Sequence, residues 1–114
     1  MGHLREVNIK YDMPSADLAV RRTTFAIQNG RALGAAALKL IHGYGSSGKG
    51  GKIRIAARER LDFLQKKNEI RGYITGEKFS IFDAATLKAF QSCPELRKDR
   101  DLERSNNGVT FILL

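Results

Sequence analysis

The sequence predicts an α/β fold in a single domain that covers residues 1–114. Short apolar segments of strand length alternate with longer segments whose apolar residues recur at helical spacing. The last segment, residues 109–114, is again apolar and strand-like. The predicted order is strand, helix, strand, helix, strand, helical insert, strand, which is typical of a mainly parallel sheet with right-handed crossovers.

The first strand and helix follow from alternation and from a capping signal. Residues 7–11 alternate apolar and polar side chains, which indicates a half-buried strand. Pro14 and Ser15 mark the entry of a helix, with Ser15 as the expected N-cap. An Asn-Gly pair that ends at Gly30 is a stop signal, so we expect this helix to end near Gln28.

The middle of the chain predicts a central strand, a helix and a third strand. Residues 37–41 are almost continuously apolar, which indicates a strand covered on at least one face. Residues 52–67 place Ile53, Leu61 and other apolar side chains on one helical face. Residues 70–75 are expected to form the third strand.

The segment before the last strand predicts a third helix and a loop. Residues 79–92 have helical character, with Asp83 as the expected N-cap. Residues 95–107 are highly charged and have little periodicity, so we expect a mobile, solvated loop. The aromatic-rich helix is expected to cover an open edge or face of the sheet.

Composition excludes several classes of protein. The chain is 42% hydrophobic and 28% charged, as in soluble globular proteins. No apolar run approaches the roughly 20 residues that cross a bilayer, and the N-terminus has no apolar signal region. We therefore expect a cytoplasmic protein without a membrane partner. One cysteine, Cys93, and two histidines are too few for a typical zinc site, so we expect neither a metal nor a cofactor.

Charge is concentrated in one part of the chain. The formal net charge is +8, and the segment Lys39–Lys67 holds eight basic residues against two acids. Such a surface favours a polyanionic partner, most simply DNA or RNA. A protein that is basic for other reasons is the alternative.

The most informative segment is His42–Lys52, in which a histidine and a loop with five glycines connect a strand to a basic helix. This order of parts is typical of a backbone cradle for a phosphate. Residues 43–48 also fit the dinucleotide fingerprint, but the chain is too short for both halves of that fold. Residues 43–50 nearly fit the nucleotide phosphate loop, except that Gly50 replaces the magnesium-binding hydroxyl. A plain surface loop is the remaining alternative.

Residues 40–48 resemble the histidine-glycine-x-glycine motif of Smr (small MutS-related) domains. His42, Gly43 and Gly45 occupy the motif positions, after an apolar strand and before a basic helix as in that family. The apolar run at residues 108–113 also resembles the family's last strand, which follows a glycine-rich turn.

The resemblance implies a two-layer sandwich similar to the C-terminal domain of translation initiation factor three. It implies a four-stranded mixed sheet in β-α-β-α-β-(α)-β order, with the two main helices on one face. The similarity covers roughly residues 6–76 and 106–114. Residues 77–105 are then a helical and charged insertion before the last strand.

One departure from the family bears on activity. Residues 7–14 lack the histidine that Smr domains usually carry at the end of the first strand, and this chain resembles a divergent member. The resemblance implies nucleic-acid binding, and as an alternative a nicking endonuclease on DNA or RNA in which His42 is the catalytic general base or acid. Nearby cations are expected to lower the pKa of His42. His42 is alternatively a residue that bonds the loop backbone and holds its shape.

The predicted site combines backbone amides with basic side chains. Glycines let N–H groups approach a phosphate, and lysine and arginine side chains neutralise neighbouring phosphates without reading sequence. Tyr44 either stacks on a base or closes the loop against the core. The predicted nucleic-acid contacts are Lys10, Gly43, Tyr44, Gly45, Ser46, Ser47, Gly48, Lys49, Lys52, Arg54 and Arg58.

Overall fold

The computed structural model describes residues 3–44 and 51–114, and these ranges contain four strands and three α-helices. The elements are β1 (His3–Asn8), α1 (Ala16–Ala32), β2 (Ala35–Ile41), α2 (Lys52–Lys66), β3 (Gly72–Thr75), α3 (Ala84–Ser92) and β4 (Val109–Leu113). The α/β character and the order of elements are as predicted.

The four strands form one mixed sheet in the order β1-β2-β4-β3. β1 is parallel to β2, whereas β4 is antiparallel to both of its neighbours. β1, β2 and β3 therefore end at the same edge of the sheet. β1 and β3 are the outer strands, and the last strand in sequence lies inside.

The helices α1 and α2 pack together on one face of the sheet, which agrees with a two-layer sandwich. Leu38 and Leu40 of β2 and Ile112 of β4 are buried against Ile27 of α1 and Leu61 of α2. The predicted N-cap of α1 is confirmed, because Ser15 Oγ accepts a hydrogen bond from the Leu18 amide at 3.1 Å.

Three boundaries near the N-terminus differ from the prediction. β1 spans His3–Asn8 rather than residues 7–11. The chain turns after Asn8, where the Lys10 amide donates to Asn8 Oδ1 and where Asp12 and Met13 have φ of 60° and 46°. α1 continues past Gly30, where a Cβ atom would lie 2.9 Å from Leu38 Cδ2. Gly30 therefore permits close packing of the helix on β2 instead of ending the helix.

The predicted insertion covers the second face of the sheet. Phe79, Phe90 and Leu96 are buried against Phe111 of β4 and Ile74 of β3. The rings of Phe79 and Phe111 lie 4.0 Å apart between centroids. The expectation that the insertion covers an open edge or face of the sheet is thus confirmed, and what it covers is a face. α3 begins five residues later than predicted, at Ala84, and its N-cap Asp83 is confirmed by a 3.0 Å bond from the Thr86 amide.

The prediction of a mobile, solvated loop at residues 95–107 is wrong. Residues 94–98 form a 3₁₀ helix, and Lys39 of β2 joins Asp99 and Asp101 in a buried ion-pair cluster, the Lys39 cluster. Lys39 Nζ lies 2.9 Å from Asp99 Oδ1 and 2.6 Å from Asp101 Oδ2. The sequence did not reveal this pairing, because Lys39 and Asp99 are 60 positions apart in the chain.

Burial and ion pairing shift the pKa of Lys39 in opposite directions. Burial lowers the pKa of Lys39, but the hydrogen bonds and charges of Asp101 and Asp99 outweigh it, so the pKa is raised. Lys39 is 1% exposed and does not contribute to a basic surface, contrary to its place in the predicted basic segment. None of the helices in the described ranges has the length and hydropathy needed to span a membrane.

Candidate nucleic-acid interface

The ends of β1 and β2 bring two predicted site residues together. A Cβ atom on Gly43 would lie 3.1 Å from Lys10 Cδ, so the aliphatic stem of Lys10 covers this glycine. Gly43 has a φ of 72°, which favours glycine here. Lys10, after β1, and Gly43, after β2, are therefore in contact.

The backbone amide of Gly43 is already used within the chain. The amides of His42 and Gly43 both donate to the carbonyl oxygen of Gly108, at 3.1 and 3.0 Å. In this conformation the Gly43 N–H is therefore not available to a phosphate. Gly43 instead forms a turn that packs with Tyr44 against Gly108, where a Cβ atom would lie 3.2 Å from the Tyr44 ring.

His42 is buried, with 3% of its surface exposed, and both ring nitrogens are engaged. Nδ1 lies 2.7 Å from the Gly43 carbonyl oxygen, and Nε2 lies 2.8 Å from Thr110 Oγ1. Because a carbonyl only accepts, Nδ1 carries the proton, and Nε2 accepts from the Thr110 hydroxyl. This agrees with the predicted alternative in which His42 holds the loop backbone.

Arg58 extends this network to the surface. Its Nε donates to Thr110 Oγ1 at 3.0 Å, and its two terminal nitrogens donate to the Glu77 carboxylate at 2.9 and 2.8 Å. We call His42, Thr110, Arg58 and Glu77 the His42 cluster. Arg58 was predicted to contact phosphates, but its guanidinium is bound to Glu77 and to Val109 and Thr110 at the start of β4.

The pKa of His42 is lowered to about 4, which confirms the predicted direction. The largest cause is burial, and the charges of Arg58 and Arg54 add to it, whereas the bond to the Gly43 carbonyl and the charge of Glu77 oppose it. The sequence suggested cations as the cause because burial of a residue next to a glycine loop cannot be seen in sequence. The ring is neutral at physiological pH.

The start of α2 lies beside the same loop and is positively charged. Gly51, with a φ of 70°, caps the helix without a side-chain hydrogen bond, and the first turn contains no acid. A Cβ atom on Gly51 would lie 3.2 Å from Arg54 Nε and 3.2 Å from the Tyr44 carbonyl oxygen, so the Arg54 guanidinium covers this glycine. Lys52 is exposed and Tyr44 is 54% exposed.

Cations at this end of a helix are unusual for stability alone. The N-terminus of a helix carries partial positive charge, so Lys52 and Arg54 oppose the helix dipole. A bound anion would relieve this repulsion. The positive N-terminus of α2 and the side chains of Lys10, Lys52 and Arg54 can therefore attract a phosphate electrostatically.

Five predicted contacts lie outside the described residues: Gly45, Ser46, Ser47, Gly48 and Lys49.

Three residues that shape the site were not predicted from the sequence. Thr110 and Glu77 belong to the His42 cluster, and Thr110 had one usable signal, a polar side chain in an apolar strand. The third residue is Arg22 of α1.

Arg22 holds the turn between β1 and α1. It donates to the carbonyl oxygens of Ile9 and Tyr11, at 3.2 and 2.7 Å, and lies 3.6 Å above the Tyr11 ring. This fixes Tyr11, which is 53% exposed, after β1. Tyr11 and Tyr44 thus both follow strands that end at one edge of the sheet.

Comparison of this chain with protein families, with curated proteins and with solved structures finds no match. The site must therefore be interpreted from its own geometry.

Proposed function

We propose that this protein is a nucleic-acid-binding domain of Smr-like type, which grips phosphates at the edge where β1 and β2 end. The observation that carries the proposal is the position of three cations near Tyr44: Lys10 covers Gly43, Arg54 lies over Gly51, and Lys52 is exposed in the first turn of α2. None of the three forms a salt bridge with a carboxylate among the described residues, although the charge of Arg54 acts on Glu77. Contacts of this kind bind the backbone of the polymer and tolerate many sequences.

The exposed tyrosine fits the same proposal. Tyr44 is adjacent to the turn and half exposed, so its ring is available to stack on an unpaired base. Single-stranded or branched nucleic acid offers such bases, whereas a regular duplex does not. We therefore expect a preference for nucleic acid with unpaired bases.

The geometry of His42 supports binding over cleavage. Both of its ring nitrogens bond within the chain, and the Thr110 hydroxyl lies between Nε2 and Arg58. A general base needs a nitrogen within hydrogen-bond reach of the substrate. We assign His42 a positioning role, through its bond to the Gly43 carbonyl.

The test is fluorescence anisotropy with labelled single-stranded DNA, duplex DNA and RNA at about 50 and 200 mM salt. The full chain should bind, more weakly at the higher salt. The double variant Lys52→Ala/Arg54→Ala should bind at least about tenfold more weakly at low salt, and the slope of log affinity against log salt should fall by about 1–2.

The matched control is Lys66→Ala/Lys67→Ala, which removes the same charge from the opposite end of α2. It should bind nearly as the parent chain does. Equal losses in both double variants would mean that net charge alone drives binding, and the proposed site would be wrong. Nicking of supercoiled plasmid that disappears in His42→Ala would favour the endonuclease instead.

A further inference from the structure

The outer edge of β1 exposes backbone hydrogen-bonding groups. In a parallel pair, alternate residues direct both N–H and C=O toward the neighbouring strand. The Ile9 amide donates to the Ile41 carbonyl of β2, so the odd-numbered positions of β1 face β2. The backbone N–H and C=O groups of Leu4, Glu6 and Asn8 therefore point away from β2, toward the open edge of the sheet.

One end of this edge is already capped. The Leu4 amide donates to Glu95 Oε1 at 3.0 Å, so a side chain from the insertion occupies the first outward position. No group in residues 3–44 or 51–114 accepts from the outward amides of Glu6 and Asn8. This short open edge has the hydrogen-bonding pattern that an added strand requires.

A groove runs beside the open edge, between β1 and α1. It has a volume of about 500 Å³, and its walls include Val7 of β1 and Phe25 of α1. Phe25 is 67% exposed, although it is a large apolar side chain. The groove also contains Arg5 and Arg21, both exposed.

We infer that the β1 edge groove binds an extended acidic segment of a partner protein, which adds to the sheet as a fifth strand beside β1. Backbone bonds to Glu6 and Asn8 would align the segment. Its side chains on the α1 side would alternate between carboxylates near Arg5 and Arg21 and a small apolar residue on Phe25.

Charge and backbone chemistry distinguish this occupant from two others. A second copy of the chain would bring its own Arg5, Arg21 and Arg22 against the same three residues, and each copy carries a formal charge of +8. Nucleic acid has phosphates where a strand has amides, so its backbone cannot donate hydrogen bonds to the outward carbonyl oxygens. An acidic peptide satisfies both the edge and the arginines.

The test uses a fluorescein-labelled peptide, Thr-Glu-Thr-Val-Thr-Glu-Thr, with the full chain in anisotropy titrations. Threonine favours an extended strand, and one face of the peptide presents glutamate, valine and glutamate. Saturable binding is expected. A peptide with lysine in place of glutamate should not bind, and neither should one in which the amides that face β1 are N-methylated, because methylation removes the ladder bonds.

Three variants locate the peptide on the chain. Arg21→Glu should weaken peptide binding at least about tenfold, as expected when an ion pair becomes a repulsion. Arg104→Glu makes the same charge change at an exposed position outside the groove and should have little effect. Glu6→Pro removes an outward amide from an edge strand, where proline is tolerated, and should abolish binding while the circular dichroism spectrum is retained.

Several results would overturn the inference. One is a lack of saturable binding up to about 1 mM peptide. Equal binding of the N-methylated peptide would exclude strand addition, and a dimer in sedimentation that Glu6→Pro dissociates would assign the edge to a second copy. Competition by an oligonucleotide that Arg21→Glu abolishes, but Lys52→Ala/Arg54→Ala does not, would assign the groove to nucleic acid.

Discussion

The Lys39 cluster and the His42 cluster begin three positions apart in the chain but lie on opposite faces of the sheet. Lys39 points toward the insertion and is sealed there, with the side chains of Lys39 and Asp99 only 2% and 9% exposed. His42 points toward α2, and its network runs outward to Glu77, whose side chain is 40% exposed. One cluster is closed, and the other connects the interior to the surface.

This difference shows that neighbouring basic and polar residues serve separate purposes. The Lys39 cluster ties the insertion to the sheet, because two aspartates from residues 99–101 neutralise one buried lysine. The His42 cluster holds the turn at Gly43 in the proposed interface, because His42 bonds the carbonyl of Gly43. Changes in the first should affect folding alone, whereas changes in the second should also affect binding.

The largest effect is expected from Lys39→Met, which keeps the approximate volume but leaves Asp99 and Asp101 without their cation. Loss of one member of a buried ion pair typically costs about 3–5 kcal/mol. Urea unfolding should show a loss of this size, while the remaining folded protein binds nucleic acid with unchanged affinity. A loss below about 1 kcal/mol would mean that the cluster is solvated, as surface pairs are.

The second prediction concerns pH. The pKa of His42 is about 4 in the folded chain against an ordinary 6.5, so the unfolded chain takes up the proton first as pH falls. This contribution to stability is present above pH 6.5 and is lost between pH 6.5 and 4, by about 2–4 kcal/mol in total. Urea unfolding at a series of pH values measures it.

The control for this pH dependence is His42→Asn, which does not titrate. Subtracting its pH profile from that of the parent chain cancels the contribution of the carboxylates. If the difference between the two free energies of unfolding is constant across the window, the ring titrates as an exposed histidine does, and the buried network is absent in solution.

The smallest effect is expected from Glu77→Gln. Arg58 and Glu77 form a partly exposed pair, so the loss of stability should be about 1 kcal/mol or less. The guanidinium of Arg58 would then carry an uncompensated charge near Arg54, and nucleic acid should bind more tightly at low salt. Weaker binding in the anisotropy titration would contradict the assignment of this edge as the interface.

Local signals in the sequence predicted much of the fold. Ser15 and Asp83 were identified as N-caps because capping depends on residues within one turn. The order of strands and helices followed from periodicity. The prediction that α1 ends before Gly30 is wrong, because Gly30 serves close packing against Leu38 of β2, a contact that local sequence does not reveal.

The site was predicted less completely. The contact between Lys10 and Gly43 could be expected, because parallel strands end at one edge. Two hydrogen-bonded contacts could not be predicted: that of Arg58 with Glu77 and that of the Gly43 amide with Gly108. Each joins residues far apart in the chain.

Side-chain type and short spacing were enough to predict the alternation of strands and helices, the basic charge and the glycine turn after β2. Which cations are buried and which face solvent depends on contacts that form only when the chain folds. Lys39 and Lys52 look alike in sequence, but the first meets two aspartates beneath the insertion and the second stands open at a helix end. Burial and pairing between distant segments are set when the chain folds.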